Sequence, residues 1–246
     1  MPITPNQGST GGGTPVSITG TNLSNTSAVR FGTRLATDIV NVSPTEVTAV
    51  SPAGSGVAPV TVTTPGGTSN PVPFYYVGAP FKQSLSPTTG STAGGETITL
   101  TGTGLSSATN VAFGATNATP TVVSDNQLTV VAPAGTAGSV AITVTTAGGT
   151  TNGLSYTYVA APVVTSVDPA EGPEAGGTAV TITGTSLTET SQVTFGGAAA
   201  PFTVLSDTSI SAVTPPGTGT VDVVVSTEGG SDTLVGGFTY LAGPGV

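Results

Sequence analysis

Cysteine, histidine and tryptophan are all absent from this chain of 246 residues. Without cysteine there is no disulfide framework, no thiolate nucleophile and no sulfur ligand for zinc or an iron–sulfur cluster. Without histidine, the chain lacks the side chain that most often serves as general base and metal ligand. These absences exclude most of the common catalytic and metal centres.

Basic residues are nearly absent as well. The chain has 3 Lys and Arg against 12 Asp and Glu, which gives a formal net charge of −9. Arg30, Arg34 and Lys82 are too few to neutralise a phosphate backbone or to hold an anionic membrane surface. We therefore expect neither nucleic acid nor a membrane surface as a partner.

Long apolar runs are also missing, because no segment approaches the roughly 20 residues that span a bilayer. We therefore expect no membrane insertion. The first eight residues, MPITPNQG, show neither the basic region nor the apolar region of a signal peptide. The hydrophobic content of 36% nevertheless indicates packed cores rather than a disordered chain.

Three copies of one unit make up the chain. A Gly-Thr-X-Leu motif, a Phe-Gly pair and a late Tyr recur at a spacing of 82 residues, which indicates a structural repeat. The copies are Gly20–Leu23, Gly102–Leu105 and Gly184–Leu187; Phe31-Gly32, Phe113-Gly114 and Phe195-Gly196; and Tyr76, Tyr158 and Tyr240.

Within each unit, short runs alternate apolar and polar residues and are separated by turn signals. Val16-Ser17-Ile18 is one such run, and Val60-Thr61-Val62 leads to the pair Gly66-Gly67, which is a good hairpin turn. No segment shows a sustained helical period. Six to seven short strands in about 82 residues predict an antiparallel β-sandwich for each unit.

The repeated residues match a known family. In the first unit they are Pro5, Gly8, Gly12-Gly13-Thr14, Thr19-Gly20, Phe31-Gly32, Pro52, Gly66-Gly67 and Tyr76. In this pattern the chain resembles the IPT/TIG family of immunoglobulin-like domains, in particular the type found in bacterial surface proteins. The resemblance implies an all-β chain of three tandem immunoglobulin-like antiparallel β-sandwiches, with domains at 1–79, 80–161 and 162–246. The linkers 77–80 and 159–162 are short, apolar and end in Pro, which favours an elongated rod.

The residues that are present do not predict an enzyme. A Ser or Thr nucleophile needs a neighbouring base, and neither His nor a suitably placed Lys exists. We expect no catalytic residue, no cofactor and no metal. Lys82, in the first linker, is expected to be a solvated charge; an isopeptide crosslink is the alternative, although Val164 and Val246 stand at the matching positions.

The densest acidic cluster is formed by Asp168, Glu171 and Glu174, in the opening loop of the third unit. Three carboxylates within seven residues suit Ca²⁺ chemically. The second unit has no carboxylate at the matching positions, so the repeat itself does not supply a calcium site. We favour a solvated acidic loop and keep calcium as the alternative.

Three aromatic residues depart from the repeat pattern. Tyr75 lies between Phe74 and Tyr76, so strand alternation turns it to the opposite face. Phe81 lies in the first linker, and Phe202 replaces polar or proline residues of the other units. Exposed aromatic side chains stack on sugars or anchor partners, so Tyr75, Phe81 and Phe202 are candidate ligand contacts. Local packing at the domain joints is the alternative interpretation.

The two ends of the chain match each other across the repeat. Residues 80–82 and 162–164 open the second and third units, and Pro244, Gly245 and Val246 match the start of a further unit. Met1, Pro2 and Ile3 begin the first unit without those three residues. The match predicts head-to-tail self-association, in which residues 244–246 of one copy dock beside residues 1–3 of the next. A heterologous contact of this kind does not close, and it builds a filament.

Together these observations predict a non-enzymatic structural or adhesive protein that works outside the cell or on a surface. Its expected partner is itself, in a head-to-tail homo-oligomer. The alternative is a monomeric surface module that binds a carbohydrate or a protein receptor.

Overall fold

The computed structural model describes residues 1–244, except for the side chain of Asn152. Every regular element in this range is a β-strand. Accordingly, residues 1–244 contain no helix with the length and apolar character needed to cross a membrane.

Repeat 1 folds as two sheets that share one core. One sheet has the order β1-β3-β7-β6, and the other has the order β2-β10-β8-β4-β5 with β9 paired to β8. The strands are β1 (Ile3–Thr4), β2 (Gln7–Ser9), β3 (Pro15–Thr19), β4 (Ala28–Phe31), β5 (Arg34–Leu35), β6 (Thr37–Ser43), β7 (Glu46–Val50), β8 (Val57–Thr64), β9 (Gly67–Thr68) and β10 (Val72–Val77). Alternate residues of both sheets, such as Ile18 and Val60, are buried in this core.

Repeat 2 has the same strand order in its two sheets. They are β11-β13-β17-β16 and β12-β19-β18-β14-β15. The strands are β11 (Phe81–Ser86), β12 (Thr89–Ser91), β13 (Thr97–Thr103), β14 (Asn110–Phe113), β15 (Thr116–Ala118), β16 (Thr121–Ser124), β17 (Gln127–Val131), β18 (Gly138–Thr146) and β19 (Gly149–Val159).

Repeat 3 again has the orders β20-β22-β26-β25 and β21-β28-β27-β23-β24. The strands are β20 (Val163–Asp168), β21 (Glu171–Pro173), β22 (Ala179–Thr185), β23 (Thr190–Phe195), β24 (Ala198–Ala199), β25 (Phe202–Ser206), β26 (Ser209–Val213), β27 (Gly219–Thr227) and β28 (Gly230–Leu241). Ile182, Ile210 and Phe238 are fully buried in its core. The all-β, tandem sandwich fold expected from the sequence is confirmed.

The first strand of each repeat is divided between the two sheets. In repeat 1, β1 pairs antiparallel with β3, and after Pro5 the chain crosses to the other sheet, where β2 pairs parallel with β10. Repeats 2 and 3 make the same crossing through β12 and β21. Proline has no N–H to donate to a ladder, so the first segment ends there. Each sandwich is therefore antiparallel except for one parallel pair, which the sequence pattern does not predict.

By contacts, the chain divides into two compact units, and the division passes through repeat 2. One unit comprises residues 1–86, 97–131 and 141–154, and it contains all of repeat 1. The other comprises residues 87–96, 132–140 and 155–246, and it contains all of repeat 3.

The recurring tyrosine holds a loop against the end of each sandwich. The hydroxyl of Tyr76 donates a hydrogen bond of 2.8 Å to the Pro52 carbonyl, and the matching bonds in repeats 2 and 3 are 2.7 Å long. Gly54 lies against the ring of Tyr76, where a Cβ would overlap it. Burial raises the pKa of Tyr76, and the Arg34 guanidinium partly offsets that rise. These contacts explain why Pro, Gly and Tyr recur together in the sequence.

Candidate functional site

Repeat 1 begins with a much shorter strand than repeats 2 and 3. β1 has two residues, whereas β11 and β20 have six each. The additional length pairs Lys82 with Gly102 in repeat 2, and Val164 with Gly184 in repeat 3. The first strand therefore covers the whole neighbouring edge in the later repeats.

The same edge is only partly covered in repeat 1. Ile3 pairs with Ile18, and the amide of Thr19 donates a 3.1 Å hydrogen bond to the Pro2 carbonyl. Gly20, which matches Gly102 and Gly184, lies beyond the end of β3. The edge of repeat 1 thus extends past the strand that pairs with it.

An open groove of about 550 Å³ lies beside this edge. It is lined by Met1, residues 20–23, Val62, Thr64 and residues 66–72. At the matching place in repeats 2 and 3, the side chains of Lys82 and Val164 are only 8% and 6% exposed. The groove therefore lies where the longer first strand inserts its side chain in the later repeats.

A hairpin tip borders the groove, and its counterparts in the later repeats press against a linker. A Cβ on Gly148 would overlap the Gly78 carbonyl, and a Cβ on Gly229 would overlap the Ala160 carbonyl. The hydroxyl of Ser91 adds a 2.9 Å hydrogen bond to the Gly229 carbonyl. Each of these joints requires a glycine because backbone meets backbone there.

The corresponding hairpin of repeat 1 has no such cover within residues 1–244. The atom nearest to a Cβ built on Gly66 is Oγ1 of its own neighbour Thr64, at 3.7 Å. The side chain of Met1 packs against the core, and Ile3 is part of the core. Pro244 is exposed and outside any strand, and the predicted contacts of Gly245 and Val246 lie outside the described residues. The interface between copies stays a prediction.

The three aromatic candidates differ in exposure. Tyr75 is 44% exposed and Phe81 is 67% exposed. Phe202 is half-buried and packs against the core of repeat 3, so it has a structural role of its own. None of the three lines the groove of repeat 1 or either of two further cavities found in residues 1–244. A ligand contact at these residues stays a prediction.

Lys82 is not the solvated linker charge that the sequence predicts, because it lies within β11 and is buried. Its Nζ donates a hydrogen bond to the Ile142 carbonyl. Burial lowers the pKa of Lys82 from 10.5 to about 8. The prediction was wrong because the strand begins earlier than the linker pattern suggested, which turns this side chain inward.

The acidic loop of repeat 3 lies between β20 and β21. Asp168 and Glu171 are exposed, and the amide of Glu174 donates to the Leu241 carbonyl. Within residues 1–244, no group of three or more acidic side chains is arranged to hold a metal ion.

Sequence reasoning missed one coordinated exchange in repeat 2. Tyr156 replaces the buried Phe of the other repeats, and Glu96 replaces their Thr. The Tyr156 hydroxyl lies 3.5 Å from Glu96 Oε2, and Glu96 Oε1 accepts from the Ser91 amide at 2.9 Å. Burial, with a smaller contribution from the Glu96 carboxylate, raises the pKa of Tyr156 to about 12. Comparing the three repeats position by position is the signal that reveals this pair.

Solved structures with a similar fold include the extracellular region of plexin A4, with 21% identity over 87% of this chain and 20% of that chain, and a TM-score of 0.51. SGBP-B from a complex xyloglucan utilization locus in Bacteroides uniformis has 18% identity over 65% of this chain and 49% of that chain, and a TM-score of 0.33. The Escherichia coli adhesin FdeC has 16% identity over 95% of each chain, and a TM-score of 0.38.

These similarities concern the fold alone, and this chain spans only a fifth of the plexin chain and about half of the SGBP-B chain. No curated protein has a significantly similar sequence. The IPT/TIG domain family matches residues 1–76, 80–158 and 162–240, which is nearly the whole chain, and each match contains one pair of sheets. The chain therefore belongs to the IPT/TIG domain family and carries three of its immunoglobulin-like domains in tandem.

Proposed function

We propose that this protein is a non-enzymatic structural and adhesive protein, extracellular or surface-associated, whose copies join head to tail into a filament. The observation that carries the proposal is the groove of repeat 1. It combines a strand edge that β1 covers only in part, with the Met1 side chain against Gly20, and an uncovered hairpin tip. The later repeats bury both features against the linker that precedes them.

The proposed occupant is the segment 242–246 of a second copy. At the spacing of 82 residues, Ala242 matches Gly78 and Ala160, whose carbonyls meet the hairpin tips of repeats 2 and 3. The Ala242 carbonyl of the second copy would contact the hairpin tip at Gly66, as the Gly78 and Ala160 carbonyls contact the tips of repeats 2 and 3. Pro244, Gly245 and Val246 would then displace the Met1 side chain from Gly20 and extend along that edge, by the same strand addition that pairs β11 with β13.

The side chains also fit such an exchange. Val246 matches Val164, which is buried in repeat 3, so an apolar residue would enter the groove of repeat 1. One bond would be missing, because Pro173 stands where Ser91 donates to the neighbouring hairpin. The joint between copies is therefore expected to be weaker than the joint between repeats 2 and 3.

A non-enzymatic role is supported by the absence of side chains that often act as catalytic bases or nucleophiles. The chain contains no His and no Cys, and its one Lys is buried against a backbone carbonyl. A hydroxyl nucleophile would therefore lack the usual bases.

The assembly is tested with Gly66→Val. Gly66 has room for a side chain in the isolated fold, so the variant should fold normally, but valine would block a docking carbonyl. We expect wild-type filaments in negative-stain electron microscopy and rising light scattering with concentration, and neither in Gly66→Val or in a chain that ends at residue 243.

Gly11→Val is the matched control, because Gly11 is exposed, has room for a Cβ and does not line the groove. It should assemble as the wild type does. Unchanged filaments in both Gly66→Val and the truncated chain would overturn the docking mechanism, and a wild type that stays monomeric at all concentrations would overturn the assembly.

The second candidate function is glycan or receptor binding by a monomer, and the exposure of Tyr75 and Phe81 favours it. Repeat 2 has Thr157 at the place of Tyr75, and repeat 3 has Val163 at the place of Phe81. If this function holds, glycan-array binding by the wild type should be lost in Tyr75→Thr or in Phe81→Val. Equal signals from the wild type and both variants would contradict it.

A further inference from the structure

Exposed positive charge is confined to one hairpin of repeat 1. Of the three basic side chains, Lys82 is buried in repeat 2, whereas Arg30 and Arg34 lie on β4 and β5 and are exposed. The domain at 162–246 contains eight acidic residues and no Lys or Arg. An anionic group that approaches this acidic chain thus finds its favourable side chains at this hairpin.

Arg34 lies at the mouth of a cleft and is held in place there. Its Nη1 donates a 2.8 Å hydrogen bond to the Ala53 carbonyl. Within residues 1–244, no carboxylate forms an ion pair with Arg34. A guanidinium carries five N–H donors, so most of them remain available to a ligand.

The cleft has a volume of about 530 Å³, which lies within the range of small-molecule sites. Three hydroxyl-bearing residues, Thr10, Thr33 and Ser55, line it together with Tyr76. Two bonds fix the loop that forms one wall, from Tyr76 to the Pro52 carbonyl and from Arg34 to the Ala53 carbonyl. The cleft is therefore organised before any ligand arrives.

The cation is specific to repeat 1. Thr116 stands at the place of Arg34 in repeat 2, and Ala198 stands there in repeat 3. The Tyr and Gly residues that shape the cleft recur in all repeats because they hold the fold together. Repeats 2 and 3 keep the tyrosine bond to the same loop without an arginine, so the fold does not require Arg34, which points to a ligand.

We propose that this cleft binds a carboxylate-bearing sugar, with the hexuronic acid residue of an acidic glycan as the ligand class. A guanidinium accepts a carboxylate in a bidentate pair, and the surrounding hydroxyl groups suit the hydroxyls of a sugar ring. The site is sized for one or two sugar rings rather than for an extended acidic peptide. It does not depend on the head-to-tail joint, since the two sites share no lining residue.

The test is isothermal titration calorimetry with trigalacturonic acid as the probe, and with the same trisaccharide methyl-esterified as the uncharged control. Arg34→Thr installs the residue of repeat 2 and should weaken binding at least about tenfold, because the charge-assisted hydrogen bonds to the carboxylate are lost. Arg30→Thr installs the residue of repeat 3, makes the same change in charge outside the cleft, and should change binding less than about threefold. Arg34→Lys keeps the charge without the bidentate geometry and should fall between the wild type and Arg34→Thr.

Near-equal affinities of the two Arg→Thr variants would overturn the site, as would equal binding of the esterified sugar or no binding of trigalacturonic acid to the wild type. Light scattering in the absence of sugar measures the self-association of the wild type and of Arg34→Thr as a further test. If Arg34→Thr abolishes self-association and the wild type binds no acidic sugar, the cleft receives a carboxylate of a second copy instead.

Discussion

At the scale of single residues, Lys82 is a buried position where repeat 2 departs from repeat 3. The side chain occupies the buried place that Val164 holds in repeat 3, and its ammonium group has the Ile142 carbonyl as its hydrogen-bond acceptor. Burial disfavours the charged form, which is why the pKa of Lys82 falls to about 8. Near neutral pH this residue therefore opposes folding.

We expect Lys82→Val to stabilise repeat 2 at pH 7 by about 1 kcal/mol, which corresponds to a rise in Tm of about 4–8 °C for a domain of this size. Thermal unfolding followed by circular dichroism measures the change. Val164→Lys, the reciprocal variant, should lower the stability of repeat 3. A fall in Tm for Lys82→Val would show that the ammonium group contributes net stability.

The pH dependence provides a second readout of Lys82. In the unfolded chain its pKa returns toward 10.5, so between pH 8 and 10.5 the unfolded state binds more protons than the folded state. The stability of the wild type should therefore rise with pH from 8 to about 9.5, and Lys82→Val should lack that rise. Above this window the buried tyrosines begin to contribute, because burial raises the pKa of Tyr76 and Tyr240.

The exchange at Glu96 and Tyr156 shows how far single positions could be predicted. The sequence marks both as departures from the repeat, but 60 residues separate them along the chain. Only the folded domain places Glu96, in the loop before β13, near the phenol of Tyr156 on β19. Sequence spacing alone carries no information about such a contact.

At the scale of elements, the short first strand of repeat 1 and the glycine hairpins have the greatest consequences. Strand positions follow from alternation, since residues such as Val16 and Ile18 must both face the core. The division of the first strand between two sheets does not follow from alternation, because the second half, such as Gln7–Ser9, has no large apolar side chain that would mark a buried face. It depends on which neighbouring edge remains free after the other strands have paired.

The hairpin joints give a prediction at this scale. Gly148→Ala should loosen the joint and cost about 1–3 kcal/mol, because its Cβ would overlap the Gly78 carbonyl. Hydrogen exchange of the amides of residues 77–79 should become faster in this variant. Gly66→Ala is the matched control, since the same substitution meets open space there and should leave exchange unchanged. Equal exchange in both variants would mean that the linker is held by other contacts.

At the scale of the whole molecule, charge is distributed unevenly among similar domains. Residues 1–79 include both arginines and two acidic residues, whereas residues 162–246 include eight acidic residues. The fold does not require this difference, because the three cores are built from the same apolar positions. Repeats with one fold thus present different surfaces, and the Arg34 cleft and the groove of repeat 1 are the clearest examples.

The sequence by itself determined that the chain is all-β, that it consists of three related domains and that it belongs to one family. Those properties follow from periodicity and from residues that recur at a constant spacing, and the linear sequence shows both directly. Tertiary structure alone decided that Lys82 is buried, that Gly148 and Gly229 press on linkers while Gly66 does not, and that Arg34 faces a cleft. These properties depend on which strand edges and loops meet in space, and the pairing of distant segments is settled only when the sheets close over their cores.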